Sequence, residues 1–151
     1  MSFSISVIKE PIYLWNERRQ CNVINWDESA GSHHLNFDFD YQDFDELQNF
    51  LDLKLPPAKQ SESESYAKYS ERLKNEHLAG AKDKGYEMLG RFWYEFEDVV
   101  YYPAEINKLQ KECLKAKGES QNPQLITAVN KISEACDDAL KNDSGLYFGS
   151  D

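Results

Sequence analysis

Two clusters in this 151-residue chain hold side chains able to do chemistry. The first is His33-His34, with Asp38 and Asp40 close behind. Imidazole and carboxylate together can ligate zinc or build a hydrolytic site. The spacing argues against a shared ion. Neighbouring residues of a strand point to opposite faces, so regular β structure cannot aim both rings at one metal. His77 stands alone, with no second histidine at helical i, i+4 spacing. The pair therefore reads as solvated loop histidines. The enzymatic alternative is a small hydrolase or metal-dependent enzyme using His33, His34 and nearby carboxylates.

The second cluster is Phe37-Asp38-Phe39-Asp40-Tyr41-Gln42-Asp43-Phe44-Asp45-Glu46. A calcium loop needs Gly at its sixth position and Glu at its twelfth. Starting from Asp38, those positions hold Asp43 and Asn49. A glycosidase needs two particular carboxylates, and nothing marks out a pair among the 27 acidic residues. The run reads either as the polar face of a strand followed by a helix cap, or as an acidic face for a basic partner. On the second reading the partner-binding residues are Asp38, Asp40, Asp43, Asp45 and Glu46.

Other chemistries lack their motifs. Gly-x-Gly-x-x-Gly, Gly-x-x-x-x-Gly-Lys-Ser/Thr and Gly-x-Ser-x-Gly do not occur. Cys21, Cys113 and Cys136 are odd in number, widely spaced and without a Cys-x-x-Cys pair, which reads as reduced, mostly buried thiols. No catalytic, metal-binding or cofactor-binding residue is assigned, and no cofactor is expected.

The charge balance sets the partner class. Seventeen basic against 27 acidic residues give a net charge of -10. Such a chain lacks the cationic surface that releases counterions from nucleic acid, and anionic membranes are disfavoured for the same reason. Acidity favours solubility and fast encounter with a basic partner. The start, Met1-Ser2-Phe3-Ser4-Ile5-Ser6, has neither a basic stretch nor a continuous apolar one, so a cytoplasmic location is expected. No apolar run approaches the roughly 20 residues that span a bilayer.

The elements that would position these residues follow from periodicity. Phe3, Ile5 and Val7 alternate with serines, as in a half-buried strand. After Pro11, residues 12–15 read as either a second short strand or an edge segment, residues 21–26 suit another strand, and the clearest strand is at Leu35, Phe37, Phe39 and Tyr41. Asp43, with Glu46 three residues on, reads as the cap of a short helix ending before Pro56-Pro57. Tyr66, Tyr69 and Leu73 mark a helix to about Leu78, with a break between residues 79 and 85 near Gly80 and Gly85. Tyr86, Leu89, Trp93 and Phe96, widened by Met88 and Phe92, predict the central helix. Trp93 and Phe96 read as core, whereas Trp15 and Trp26 could be exposed anchors. Val99–Tyr102 reads as extended. Helices should follow from Pro103 to Gly118 and from Pro123, capped by Asn122, toward Gly145. Leu146-Tyr147-Phe148 would be a short terminal strand or tail.

The fold expected is α+β: one domain over 1–151, with an N-terminal antiparallel sheet packed on four to five helices. It divides into a sheet-rich part (1–42), a helical part (43–142) and a terminal strand or tail (145–149).

The cadence Trp93-x-x-Phe96-x-Asp98-Val99-Val100-Tyr101-x-Pro103-x-Glu105-Ile106-x-x-Leu109, then Ile132-x-x-Ala135-Cys136-x-x-Ala139 and Gly145-Leu146-x-Phe148-Gly149-x-Asp151, resembles small bacterial polymorphic-toxin immunity proteins. The resemblance covers roughly residues 93–151. It implies a cytoplasmic, non-enzymatic protein that binds and neutralises a cognate toxin domain, commonly an acidic protein against a basic nuclease. It transfers no binding residue. The other non-enzymatic reading is a structural or regulatory adaptor acting through exposed aromatics.

Overall fold

The computed structural model describes residues 2–8, 13–18, 21–24, 33–34, 39–53, 59–94 and 97–150. The strands are β1 (Ser2–Ile8), β2 (Tyr13–Asn16), β3 (Cys21–Ile24), β4 (His33–His34), β5 (Phe39–Asp40), β6 (Val99–Tyr101) and β7 (Gly145–Ser150). The α-helices are α1 (Tyr41–Leu51), α2 (Tyr66–Asp83), α3 (Ile106–Glu119) and α4 (Pro123–Lys141). The fold is α+β.

β1 is the spine of the sheet. On one side it pairs antiparallel with β7, from Phe3↔Ser150 to Ile8↔Gly145. On the other it pairs with β4 and, nearer its start, with β5. β6 closes the order β4-β1-β7-β6. Two of these strands thus lie beyond the N-terminal third, and the expected terminal strand or tail, β7, is central. Its apolar Leu146-Tyr147-Phe148 run suits a strand with neighbours on both sides. β2 and β3 form a separate hairpin. His33 and His34 lie in a strand paired with Val7 and Ser6, not in a loop.

Phe3, Ile5 and Val7 are buried, as their alternation predicts. They face the helices, where α4 packs against α1, α3, β1 and β7. Leu125, Val129, Ile132, Cys136 and Ala139 line the buried stripe of α4, and Ile106, Leu109 and Cys113 that of α3. Phe92 meets Phe148 edge to face at 5.0 Å, and Phe3 stacks on Phe44 at 5.8 Å. These ring contacts join the sheet to the helical layer.

Three expectations need correction. The strand around Leu35–Tyr41 does not reach Tyr41: Phe39 pairs with Phe3, Asp40 ends β5, and Tyr41 opens α1. Leu35, Phe37 and Asp38 lie outside the described residues, as do Trp26 and Phe96. Second, α2 runs past Leu78 and Gly80 to Asp83, longer than the spacing predicts, while the break expected between residues 79 and 85 is found at its end. The N–H of Tyr86 bonds to the Ala81 carbonyl at 2.8 Å and that of Gly85 to Lys82 at 2.9 Å, a Schellman ending. It requires the positive φ of 86° found at Gly85, a conformation easy only for glycine.

Third, among the described residues no long central helix follows Tyr86. These residues hold the 3-10 turn Leu89–Arg91, followed at Phe92–Tyr94 by backbone without regular structure. Tyr86, Met88, Leu89 and Phe92 are buried all the same, but Trp93 is only half-buried. Gly90 lies against Ala81 of α2 so closely that a side chain there would collide with it. Beyond the turn, Pro103–Glu105 forms a 3-10 lead into α3, which ends at Glu119, just past Gly118.

Candidate functional site

The acidic run sits where β5 turns into α1. Asp40 is the N-cap: its Oδ1 accepts from the Asp43 N–H at 3.0 Å, while Asp43 Oδ2 accepts from the Asp40 N–H at 3.0 Å. This is a capping box, three residues earlier than the sequence reading placed it. Tandem spacing explains the ambiguity, since Asp40-x-x-Asp43 and Asp43-x-x-Glu46 both fit the pattern. The pairing of Phe39 with Phe3 decides it.

The candidate residues therefore part company. Asp43 is buried, and its Oδ2 also accepts from Lys131 Nζ of α4 at 2.6 Å. Glu46 is half-buried and accepts from Asn122 Nδ2 at 2.9 Å. Asn122 meanwhile caps α4, its Oδ1 accepting from the Gln124 N–H at 3.0 Å. Asp45 is exposed and Asp40 half-buried. Asp38 lies outside the described residues.

Asp40, Gln42, Asp43 and Glu46 rim a cleft of about 200 Å³ between α1 and α4, with Gln124, Thr127 and Lys131 on its far wall; Asp45 lies outside it. The Asp43 N–H donated into it holds the Asp40 carboxyl below its ordinary range; partial burial opposes this and Lys131 assists. Asp40 is thus ionised at neutral pH. The cleft presents carboxylate acceptors, fixed from behind by one ammonium and one amide. It can accept hydrogen bonds from cationic donors, and charge makes such bonds strong.

Lys131 and Asn122 were missed by sequence reasoning. Asn122 was legible as a helix cap but not as a partner of Glu46. Lys131 carries no local signal, because it is one polar residue on an amphipathic helix.

A second cleft, about 370 Å³, borders the edge strand β6. Its charges are paired. Arg91 forks onto Glu105, with Nη1–Oε1 at 3.0 Å, and also donates to the Val100 carbonyl at 2.9 Å. Glu97 binds both Lys74 and Trp93 Nε1, the latter at 2.7 Å. Tyr147 Oη donates to Asp98 at 2.6 Å. The Arg91 fork occupies a carbonyl of an edge strand, one way such edges are protected from unwanted pairing.

One carboxylate is buried deep beneath the 3-10 turn. Glu112 of α3 accepts from the N–H of Met88 at 2.9 Å and of Leu89 at 3.0 Å. Burial pushes its carboxyl up, against the pull of those two donors. Close by, Tyr101 Oη donates to the Met88 carbonyl at 2.6 Å. Cys113 and Cys136 are buried and unpaired; burial drives the Cys113 thiol well up and that of Cys136 to about 12. Thiols so protonated are poor nucleophiles. The His33 and His34 side chains are outside what is described. Among the described residues, no group of three or more His, Cys, Asp or Glu converges as for a metal ion. No described helix is long and apolar enough to cross a membrane.

No protein-family model, curated protein or solved structure matches the chain.

Proposed function

We propose that the protein is a non-enzymatic binding protein of the immunity type. It neutralises a cognate bacterial toxin domain by covering it with an acidic face, and a basic nuclease is the target class whose charge fits. The observation that carries this reading is the rim of the α1–α4 cleft. Asp40 and Glu46 stand half-exposed on it, Asp43, Lys131 and Asn122 hold it in place, and Asp45 adds an exposed carboxylate on α1 outside the cleft. Carboxylates ordered in advance lose little freedom on binding, which favours affinity. The net charge of -10 steers a basic partner toward the chain from beyond contact distance.

The test is Asp45→Lys with Glu46→Lys. The measurements are protection of cells expressing a basic nuclease toxin domain that the parent protein neutralises, and the association rate of the purified pair at several salt concentrations. The reversal should slow association by about tenfold or more at low salt and flatten its salt dependence. Unchanged protection with an unchanged rate would remove the assignment.

A second reading, an adaptor acting through exposed aromatics, draws on different residues. Tyr66 is 74% exposed and Trp15 57% exposed. Tyrosine and tryptophan are over-represented among the side chains that dominate protein interfaces.

A further inference from the structure

α2 is thinly attached for its length. It runs for 18 residues, yet Ala81 is its one buried residue. Helices owe most of their stability in proteins to a packed face, and this one has little. It is seated on the 3-10 turn Leu89–Arg91, where Ala81 lies against Gly90. Other ties flank that seat. Gly80 faces the Leu53 side chain, Lys74 pairs with Glu97, and Lys84 just past the helix donates to the Leu51 and Asp52 carbonyls.

The seat holds a polar atom without a partner. His77 Nε2 is shut off from solvent and meets no hydrogen-bonding group among the described residues. The Gly90 carbonyl, on the turn, favours the charged ring, but burial outweighs it and lowers the imidazole. The charged groups around this contact are engaged elsewhere. On α2, Lys74 is paired with Glu97 and Glu76 with Arg72. On the turn, Arg91 forks onto Glu105, and just before it Glu87 pairs with Lys108. From α3, Glu112 holds the Met88 and Leu89 N–H groups. None of these is among the influences on the ring.

A neutral imidazole can sit here. An imidazolium is far less suited, because its Nε2–H needs an acceptor and the described residues supply none. A ring in water takes up a proton near pH 6.5, so acidification favours the position in which the ring is lifted into solvent. What α2 covers gives this a consequence. Lys74 and Leu78, on either side of His77 in the helix, help to line the cleft of about 370 Å³ beside edge strand β6, together with Val99, Val100 and Tyr102.

We propose that α2 is a strap over this cleft, and that proton uptake by His77 unseats it from the 3-10 turn and opens the cleft on the α2 side. The rest of the core stays folded, because α1, α3, α4 and the sheet bury their apolar faces against one another. Opening of a segment with few buried apolar contacts requires less free energy than global unfolding. The strap does not involve the α1 rim and stands apart from the immunity reading.

Amide hydrogen exchange of the full chain, followed by NMR from about pH 7.5 to about pH 5, tests it. Protection factors, which remove the intrinsic effect of pH on exchange, should fall by about tenfold in α2 around His77 while those of α4 hold. His77→Gln, neutral throughout this range, should abolish the fall. Glu112→Gln, which removes the carboxyl that faces the same turn from α3, should leave it in place. Constant protection of α2 over the range overturns the proposal. So does a fall shared equally by α2 and α4, or one that persists undiminished in His77→Gln. If that variant does not fold, the parent's difference between α2 and α4 decides.

Discussion

Asp40 accepts from the N–H of Asp43 at the rim of α1, while Glu112 accepts from those of Met88 and Leu89 inside the protein. Both satisfy backbone donors at the start of a helical segment. Their surroundings separate them. Asp40 is half-exposed, so the donated hydrogen bond dominates and its carboxyl is held down. Glu112 is buried, so loss of water dominates and its carboxyl is pushed up even though more N–H groups point at it. The contrast shows where each carboxylate is useful. The exposed one is charged, ordered and open to a partner. The buried one secures a turn that its own sequence would not form.

The largest effect is expected at the buried group. Glu112→Ala leaves the Met88 and Leu89 N–H groups without their acceptor inside the core. Each buried unsatisfied group costs about 1–3 kcal/mol, so unfolding in urea should show a loss of about 2–6 kcal/mol. Glu112→Gln keeps an acceptor oxygen and should recover most of that loss. If alanine and glutamine proved equally mild, the turn would be held by apolar burial alone.

At the rim the corresponding change is smaller. Asp43→Ala removes the acceptor for the Asp40 N–H and the partner of Lys131. Capping groups contribute about 1 kcal/mol and partly exposed ion pairs at most about 1, so a loss of about 1–2 kcal/mol is expected in the same measurement. Asp45→Ala at the exposed position should leave stability within about 0.5 kcal/mol of the parent. A large effect there would mean that Asp45 is structural, and would take it out of the proposed binding face.

The two regions also differ in how far the sequence reveals them. Alternation of Phe3, Ile5 and Val7 with serines identifies β1 and its buried face, because the strand period is strict. The stripe from Leu125 to Ala139 identifies α4, with Asn122 and Pro123 fixing its start. The Tyr86, Leu89, Trp93 and Phe96 spacing is equally helical, yet the described residues from Tyr86 to Tyr94 form only a 3-10 turn. Gly85 ends α2 just before it, and Glu112 captures two of its N–H groups from 24 and 23 residues away. The period reports which residues seek burial, not whether a distant carboxylate will claim the backbone. At the rim, Asp40, Asp43 and Glu46 are visible through local spacing. Their clamps are not: Lys131 is 88 residues from Asp43, and Asn122 is 76 from Glu46.

The finest expected effect is in the pH dependence, where the two carboxylates should act with opposite sign. The folded state holds Asp40 below its ordinary value of about 4, so between those values the unfolded chain binds more protons. Stability from Asp40 is complete above that range and is lost as pH falls through it. Glu112 is raised, so the folded state takes up its proton first. Its ionised form is a burden at neutral pH, and the burden lifts as pH falls toward about 4. His77 overlaps with this window. Burial lowers its imidazole, so its contribution declines as pH falls below about 6.5. Subtracting variant from parent isolates each group. Relative to Glu112→Gln, the parent should gain stability between neutrality and about pH 4.5; relative to Asp40→Asn, it should lose its advantage only below about pH 4. Stability curves by urea unfolding at each pH provide the check. If both differences ran in the same direction, burial would not be what separates the two sites.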